Sequence, residues 1–254
     1  MTTPRTTLVT LAGIALLSAC DQQEKPPPDA GVDTSCGIDC DAQARYGLIL
    51  NRCFEYVTSN DEVMGAFVSE TRELEGGIPV IAVDYYDGSG IWRMTDSFTI
   101  VSGSLKLVRR EWKSGAGGSV TYKDEANAIV GATWWEPSTT SGQSIVSEVV
   151  ADVVVGTRTA DPTTYTVVTT EPTSAEKTVP AGTFDNSVKM LFNLQSGASQ
   201  GPDARRVFAE NTGFTTISTS FSATSTDYVT YRLQAIRDIG TADGGNHPCG
   251  SPAP

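Results

Sequence analysis

Histidine is almost absent from this chain: the 254 residues contain one, His247. Histidine is the side chain most often used as a general acid or base near neutral pH and as a metal ligand. A site built from two or more histidines is therefore excluded. Glycine-rich motifs that cradle phosphates or dinucleotides are also missing. The sequence thus predicts neither a bound metal nor an organic cofactor.

Positive charge is scarce as well. The chain carries 18 Lys and Arg residues against 30 Asp and Glu residues, a formal net charge of −12. Binding to nucleic acid or to anionic lipid through a basic surface requires the opposite balance, so we exclude both for the folded body. We interpret the acidity as a source of solubility. The 39% of hydrophobic residues is enough for an ordinary globular core.

No apolar run near the N-terminus is long enough for a transmembrane helix, which needs about 20 residues. The run from Leu8 to Leu17 follows Arg5 and ends at two small residues. A basic start, a short apolar stretch and small residues before a cleavage point are typical of an export signal. We therefore predict that residues 1–19 are a signal peptide that is removed.

The end of this segment, Leu17-Ser18-Ala19-Cys20, closely resembles the lipobox of bacterial lipoproteins. The resemblance implies that the Cys20 thiol is diacylated, for example with palmitate. It also implies a bacterial envelope protein anchored to the inner or outer membrane, with its body in the periplasm or at the cell surface. Two acyl chains make a stable anchor. The alternative is an ordinary secretory signal, but acylating one of five cysteines leaves an even four, which favours lipidation.

Composition divides the rest of the chain into three parts. Residues 20–35 are rich in Gln, Pro, Asp and Gly and contain Pro26-Pro27-Pro28, so we predict an extended tether behind the lipidated cysteine. Residues 36–240 have the length of a single all-β domain. Residues 241–254 are interpreted as a C-terminal tail.

Export to an oxidising compartment makes disulfide partners of Cys36, Cys40, Cys53 and Cys249. Four cysteines allow three pairings, among which the sequence does not decide. We favour Cys40 with Cys53 and Cys36 with Cys249, because this ties the tail to the start of the domain. A zinc site is the alternative, but no second close cysteine pair and no nearby histidine completes it.

Beyond residue 50 the hydrophobicity alternates with a period of two, as in Ile81, Val83 and Tyr85, and Gly-rich turns separate the runs. This is typical of half-buried antiparallel strands joined by hairpins. We predict an all-β fold with a dozen or so strands. Open twisted sheets rarely exceed about 10 strands, so we favour a strongly curved, half-barrel-like meander over a β-sandwich. Residues 42–50 fit either a short helix or a strand.

A stretch in the last third of the chain carries a second resemblance. Thr178 to Phe184, followed by Val188-Lys189-Met190 and later by Phe208 to Phe214, resembles a strand-turn pattern of envelope proteins with strongly curved sheets. These are relatives of the Lol-type lipoprotein carriers. The resemblance implies a half-barrel fold and identifies no catalytic residue.

Two motifs could indicate catalysis. Gly197-Ala198-Ser199-Gln200-Gly201 matches the nucleophile elbow, and Asp243 and His247 follow in hydrolase order. Strand-like residues follow Ser199 where the elbow needs a helix, so we interpret Ser199 as a hairpin-loop residue and keep a serine hydrolase as the alternative function. Ser174-Ala175-Glu176-Lys177 matches the S-x-x-K acylation motif, which we place in a loop between strands.

The four tryptophans, Trp92, Trp112, Trp134 and Trp135, are the candidate ligand-binding residues. On the concave face of a curved sheet they could line a pocket for an acyl chain or another apolar ligand; a plain core role is the alternative. Adjacent Trp134 and Trp135 should point to opposite faces of one strand, leaving one of them exposed, in a partner site or at a strand end. We predict a non-catalytic binding or envelope-maintenance module for an apolar ligand or an envelope protein.

Overall fold

The alternating sequence forms strands in most of the chain that the structure describes. The computed structural model describes residues 40–113, 117–138, 143–147, 149–155, 158–159, 164–196, 199–200, 204–219, 228–238 and 249. Within them lie the helices α1 (Cys40–Arg45) and α2 (Ser174–Lys177). The strands are β1 (Arg52–Val57), β2 (Val63–Leu74), β3 (Ile78–Asp87), β4 (Trp92–Val101), β5 (Ser104–Trp112), β6 (Gly118–Lys123), β7 (Ala132–Trp135), β8 (Ser144–Ser147), β9 (Val150–Val155), β10 (Arg158–Thr159), β11 (Thr164–Thr170), β12 (Thr178–Val179), β13 (Gly182–Thr183), β14 (Ser187–Ser196), β15 (Ser199–Gln200), β16 (Ala204–Ala209), β17 (Gly213–Thr219) and β18 (Val229–Asp238).

Sixteen of these described strands belong to one sheet. Its order is β10-β9-β6-β5-β4-β3-β2-β1-β18-β17-β16-β14-β11-β8, with β7 beside β5 and β15 beside β14, while β12 and β13 form a separate hairpin. Two antiparallel meanders, β1 to β6 and β16 to β18, meet where β1 pairs with β18. The all-β prediction is confirmed, as one continuous open sheet and not as a two-sheet sandwich.

Glycine-rich turns close the hairpins where the sequence predicts them. Ser102 and Gly103 connect β4 to β5 with φ angles of 52° and 77°. A two-residue hairpin loop with both φ angles positive twists in the same sense as its strands. Gly76 and Gly77, with φ angles of 87° and 73°, lie in the longer three-residue loop that connects β2 to β3. These turns fix the register of the first meander.

The sheet is strongly curved. Four strands lie between β4 and β17 in the sheet order, so the two would be about 24 Å apart if the sheet were flat. The ring centroids of Phe98 on β4 and Phe214 on β17 are nevertheless 6.1 Å apart. Near the ends of the strand order, the Thr133 amide of β7 donates a hydrogen bond to Ser147 Oγ of β8 at 2.8 Å. The concave face therefore closes around a core of its own side chains.

Trp134 lies at the centre of this core and is 1% exposed. Its ring centroid is 4.2 Å from that of Phe192, 5.1 Å from that of Phe98 and 5.9 Å from that of Phe214. These partners come from β14, β4 and β17, so the indole joins strands that are distant in the sheet order. Aromatic rings at such separations attract one another beyond the effect of their buried area.

Charged groups are buried beside the same indole. Asp96 is fully buried, and its two carboxylate oxygens accept hydrogen bonds from Arg110 at 2.5 and 2.7 Å. The Arg110 and Arg206 guanidinium carbons lie 5.9 and 6.0 Å from the centroid of the Trp134 ring. Arg206, also fully buried, donates to the Ser218 carbonyl at 2.7 Å. Burial alone would lower the pKa of Arg110, but the Asp96 carboxylate outweighs this and raises it.

The disulfide pairing favoured from sequence is wrong. Cys53 of β1 is bonded to Cys249, with 5.5 Å between their Cα atoms, which excludes both Cys40–Cys53 and Cys36–Cys249. Pairing of β1 with β18 places the end of β18 beside Cys53. The tail is still tied to the first strand, as expected. Cys40 is disulfide-bonded too, while Cys20 and Cys36 lie outside the described residues.

The helices are short. Residues 42–50, left open between helix and strand, supply most of α1. The loop predicted for Ser174 to Lys177 is wrong, because these residues form the single turn α2. Thr173 and Glu176 close its N-terminus as a reciprocal capping box. Neither of these described helices has the length and apolar composition needed to span a membrane.

The burial of the Asp96–Arg110 pair predicts how its removal changes the stability of the fold. Asp96→Ala should lower the free energy of unfolding by about 3–5 kcal/mol, because it leaves a buried guanidinium without its carboxylate. The double variant Asp96→Leu/Arg110→Met removes both charges and should cost less than the single one. Urea unfolding followed by circular dichroism measures both.

An exposed pair provides the control for this experiment. Glu171→Ala breaks the contact with Lys177, in which the Glu171 side chain is 72% exposed, and should cost less than about 1 kcal/mol. A double variant at least as unstable as Asp96→Ala would contradict the interpretation.

Candidate functional site

The structure does not bring the four tryptophans together. Trp92 begins β4, and its indole N–H donates to Thr95 Oγ1 at 2.8 Å. Trp112 ends β5, whereas Trp135 pairs with Leu105 near the beginning of that strand. Seven residues of strand separate the two positions, a distance of about 23 Å. A single binding site lined by all four tryptophans is therefore excluded.

Trp134 and Trp135 depart from the strict alternation expected for neighbours in a strand. Trp135 pairs with Leu105 but Thr133 pairs with Lys106, so the register shifts at Trp134 and β7 carries a bulge. Both indoles reach the same cross-strand pair, Trp134 through Phe214 and Trp135 through Phe208. The prediction that they point to opposite faces is thus wrong, because a bulge re-aims side chains locally. Trp135 does lie at the strand end.

A pocket opens beside Trp135, and we call it the Trp135 pocket. It has a volume of about 290 Å³. Its apolar lining consists of Trp135, Pro137, Val188 and Phe208. The Trp135 and Phe208 rings are 5.8 Å apart with 37° between their planes, and Val188 pairs with Phe208 across β14 and β16. This side of the pocket is therefore built on paired strands.

The rest of the pocket lining is polar and charged. Arg45 from the end of α1 and Glu210 from the turn after β16 form an ion pair at 3.3 Å, with side chains 46% and 55% exposed. Asp185, Asn186 and Ser187 line the pocket where β14 begins. Apolar walls with a few convergent polar groups are typical of small-molecule sites.

Helix α1 is held at the pocket by contacts of its last residue and of the residues directly after it. The Arg45 carbonyl accepts a hydrogen bond from the Asn211 amide at 2.8 Å, and the buried Tyr46 hydroxyl donates to the Gly103 carbonyl at 2.6 Å. Gly47 adopts φ +67°, and a Cβ there would overlap the Thr212 carbonyl. The close approach of α1 to the β16–β17 turn thus requires glycine.

The pKa of the Tyr46 hydroxyl depends on the charged groups of this region. Burial raises the pKa of its hydroxyl to about 12. The nearby Glu210 and Glu136 carboxylates also raise this pKa, while the Arg45 guanidinium opposes the rise. Tyr46 is therefore neutral at physiological pH and acts there as a hydrogen-bond donor.

The residues of the hydrolase alternative are only partly described. Ser199 belongs to β15, where it pairs with Ser196 of β14, and the next described element is the strand β16. A nucleophile elbow requires a turn from strand to helix, which this hairpin setting does not provide. Asp243 and His247 lie outside the described residues. Within the described ranges, no three His, Cys, Asp or Glu side chains are grouped as a metal site would require.

Sequence reasoning identified Trp135 but missed the charged part of the pocket. Arg45, Asp185 and Glu210 are far apart in the chain and belong to no motif. Phe208 did appear within the strand-turn stretch used for the Lol-type resemblance, and Asp185 directly follows the first part of that stretch. The pairing of β14 with β16 is what brings Asp185 and Glu210 to the same pocket.

No protein-family model, curated protein or solved structure matches this chain. The resemblances to bacterial lipoproteins and to the Lol-type carriers therefore stay predictions. Function has to be argued from the chemistry of the pocket.

The geometry at Gly47 predicts a large effect of one methyl group. Gly47→Ala should lower the free energy of unfolding by about 2–5 kcal/mol, from about 1–2 kcal/mol for an alanine at positive φ and about 1–3 kcal/mol for the overlap. Urea unfolding measures the change. The matched control is Gly76→Ala, which has φ +87° and nothing within 4 Å of the added Cβ, so it carries the backbone cost alone. Equal losses for the two variants would refute the close approach as the cause.

Proposed function

We propose that this chain is a non-catalytic binding module of the bacterial envelope, anchored to a membrane through lipid on Cys20, which holds a small ligand in the Trp135 pocket. The observation that carries the proposal is the pocket itself. A partly exposed indole, backed by the buried ring of Phe208, faces a cavity of about 290 Å³ with a charged rim. A partly exposed tryptophan beside a cavity supplies contact area that an incoming molecule can bury.

The size of the pocket limits the size of the ligand that it can hold. Drug-sized ligands occupy pockets of about 300–1,000 Å³, so this one is at the small end of the range. The concave face of the sheet, where an acyl chain was expected to bind, holds the packed side chains around Trp134 instead. A molecule or exposed group of headgroup size, with one apolar surface, fits better than a whole acyl chain.

Cysteine pairing supports the anchor. Cys53 and Cys249 bond to each other, and Cys40 is also disulfide-bonded. The cysteines that remain are Cys20 and Cys36. If Cys20 carries lipid, Cys36 is the partner of Cys40 and every cysteine is used. An unmodified Cys20 would leave one thiol over.

Binding in the pocket should depend on Trp135. We expect the full chain to bind the neutral fluorescent probe N-phenyl-1-naphthylamine, and Trp135→Ala to weaken this binding about tenfold or more, because the aromatic wall is lost. Fluorescence titration measures the affinity, and thermal unfolding shows whether the variant is folded.

Two further variants make this experiment decisive. Trp92→Ala removes an equivalent tryptophan far from the pocket and should leave binding unchanged. Asn186→Trp fills the pocket from an exposed rim position, so it should block binding without disturbing the core. Probe binding that survives both Trp135→Ala and Asn186→Trp would show that the pocket is not the site.

Lipidation should depend on Cys20 alone. When the full-length chain is expressed in a bacterium fed labelled palmitate, we expect label in the wild type and in Cys36→Ser but none in Cys20→Ser. A label that persists in Cys20→Ser, or that the wild type never acquires, would overturn the anchor.

A further inference from the structure

We propose that the Trp135 pocket recognises an ammonium group, primary or quaternary, on its ligand. This inference rests on the proposed binding function and names the ligand chemistry of the same pocket. Three features of the site carry it: an accessible indole, an excess of carboxylate over cationic groups on the rim, and a volume that fits a small organic cation.

The indole provides the first part of the recognition. The face of a tryptophan attracts a cation within about 6 Å of the ring centroid, and the attraction strengthens when the pair is shielded from water. Trp135 is partly exposed at the pocket, and Phe208 closes the pocket behind it. The chain uses the same chemistry internally, where two guanidinium groups lie about 6 Å from the Trp134 ring.

The rim provides the second part. Of the residues that line the pocket, Arg45 is the cationic one, and Asp185 and Glu210 carry carboxylates. Glu210 already faces Arg45 at 3.3 Å. No described cation lies within ion-pair distance of Asp185. The rim therefore has one formal negative charge in excess, which a monovalent cation would neutralise.

The surroundings strengthen this charge balance. The whole chain has a formal net charge of −12. Such a field draws cations towards the protein and repels anions, over the screening length of the salt present.

A pair of isosteric probes tests the proposal directly. Phenyltrimethylammonium and tert-butylbenzene have the same shape and differ in charge. We expect the full chain to bind the cation about tenfold more tightly. The indole N–H resonance of Trp135, assigned by its loss in Trp135→Phe, should shift during the NMR titration.

Charge-removing variants locate the effect. Asp185→Asn should weaken binding of phenyltrimethylammonium about three- to tenfold and leave binding of tert-butylbenzene unchanged. Glu73→Gln removes the same charge from an exposed position on β2 and should change neither. If Glu73→Gln and Asp185→Asn lose the same affinity for phenyltrimethylammonium, the preference for the cation comes from the net charge of the chain. That result would overturn the assignment of the ammonium site to the pocket.

The remaining outcomes separate this inference from the proposed function. Equal affinity for the two isosteres, or tighter binding of benzenesulfonate or of a neutral disaccharide, overturns the ammonium inference while leaving a binding pocket. If neither the two isosteres nor benzenesulfonate nor the disaccharide shifts the Trp135 resonance, the proposal that the pocket binds a small ligand is itself overturned.

An ammonium group could belong to a soluble molecule or to a lipid headgroup. Sedimentation of the full-length Cys20→Ser chain with phosphatidylcholine vesicles distinguishes the two. Trp135-dependent sedimentation together with binding of the soluble cation supports a headgroup, and binding of the soluble cation alone supports a free molecule. Sedimentation that is unchanged in Trp135→Ala and occurs without binding of the cation overturns the proposal.

Discussion

The contacts of Trp134 are the constraint on which the rest of the structure depends. A single buried indole touches rings from β4, β14 and β17, which a flat sheet would hold far apart. Burying about 200 Å² of tryptophan contributes about 5 kcal/mol, and each aromatic contact adds about 1 kcal/mol. Burial of apolar area is therefore the larger effect, and the ring geometry decides which strands are brought together.

Once the sheet has curled around this residue, its concave face has little room left. Buried side chains from both meanders fill it, including the Asp96–Arg110 pair and Arg206. Space for a ligand is left where β7 ends, at the Trp135 pocket. The bulge at Trp134 is the link, because it lets two consecutive indoles reach one aromatic pair. Trp134 supports the core, and Trp135 remains accessible at its edge.

The fold class was predictable because alternation and turn chemistry are local properties. Ile81, Val83 and Tyr85 are buried as their spacing predicts, and the glycine turns fall between the strands. The bulge in β7 was not predictable, because a shift in register depends on the partner strand. The disulfide depended on the pairing of β1 with β18, a contact between the two ends of the domain. The charged rim of the pocket could not be predicted for the same reason, since Arg45, Asp185 and Glu210 meet only in the folded sheet.

The pocket lies close in sequence to the proposed tether, and this affects how high its affinity for a ligand needs to be. Arg45 closes α1, and α1 begins five residues after the proposed tether, residues 20–35. That tether spans about 50 Å in an extended polyproline conformation. If the body is anchored, a ligand carried in the same membrane stays within the reach of the tether. The effective concentration of such a ligand at the pocket is about millimolar. A small cation on one indole and one carboxylate gains only a few kcal/mol, which suits millimolar affinity. An exposed pocket with weak intrinsic binding is therefore sufficient if the lipid on Cys20 supplies the proximity.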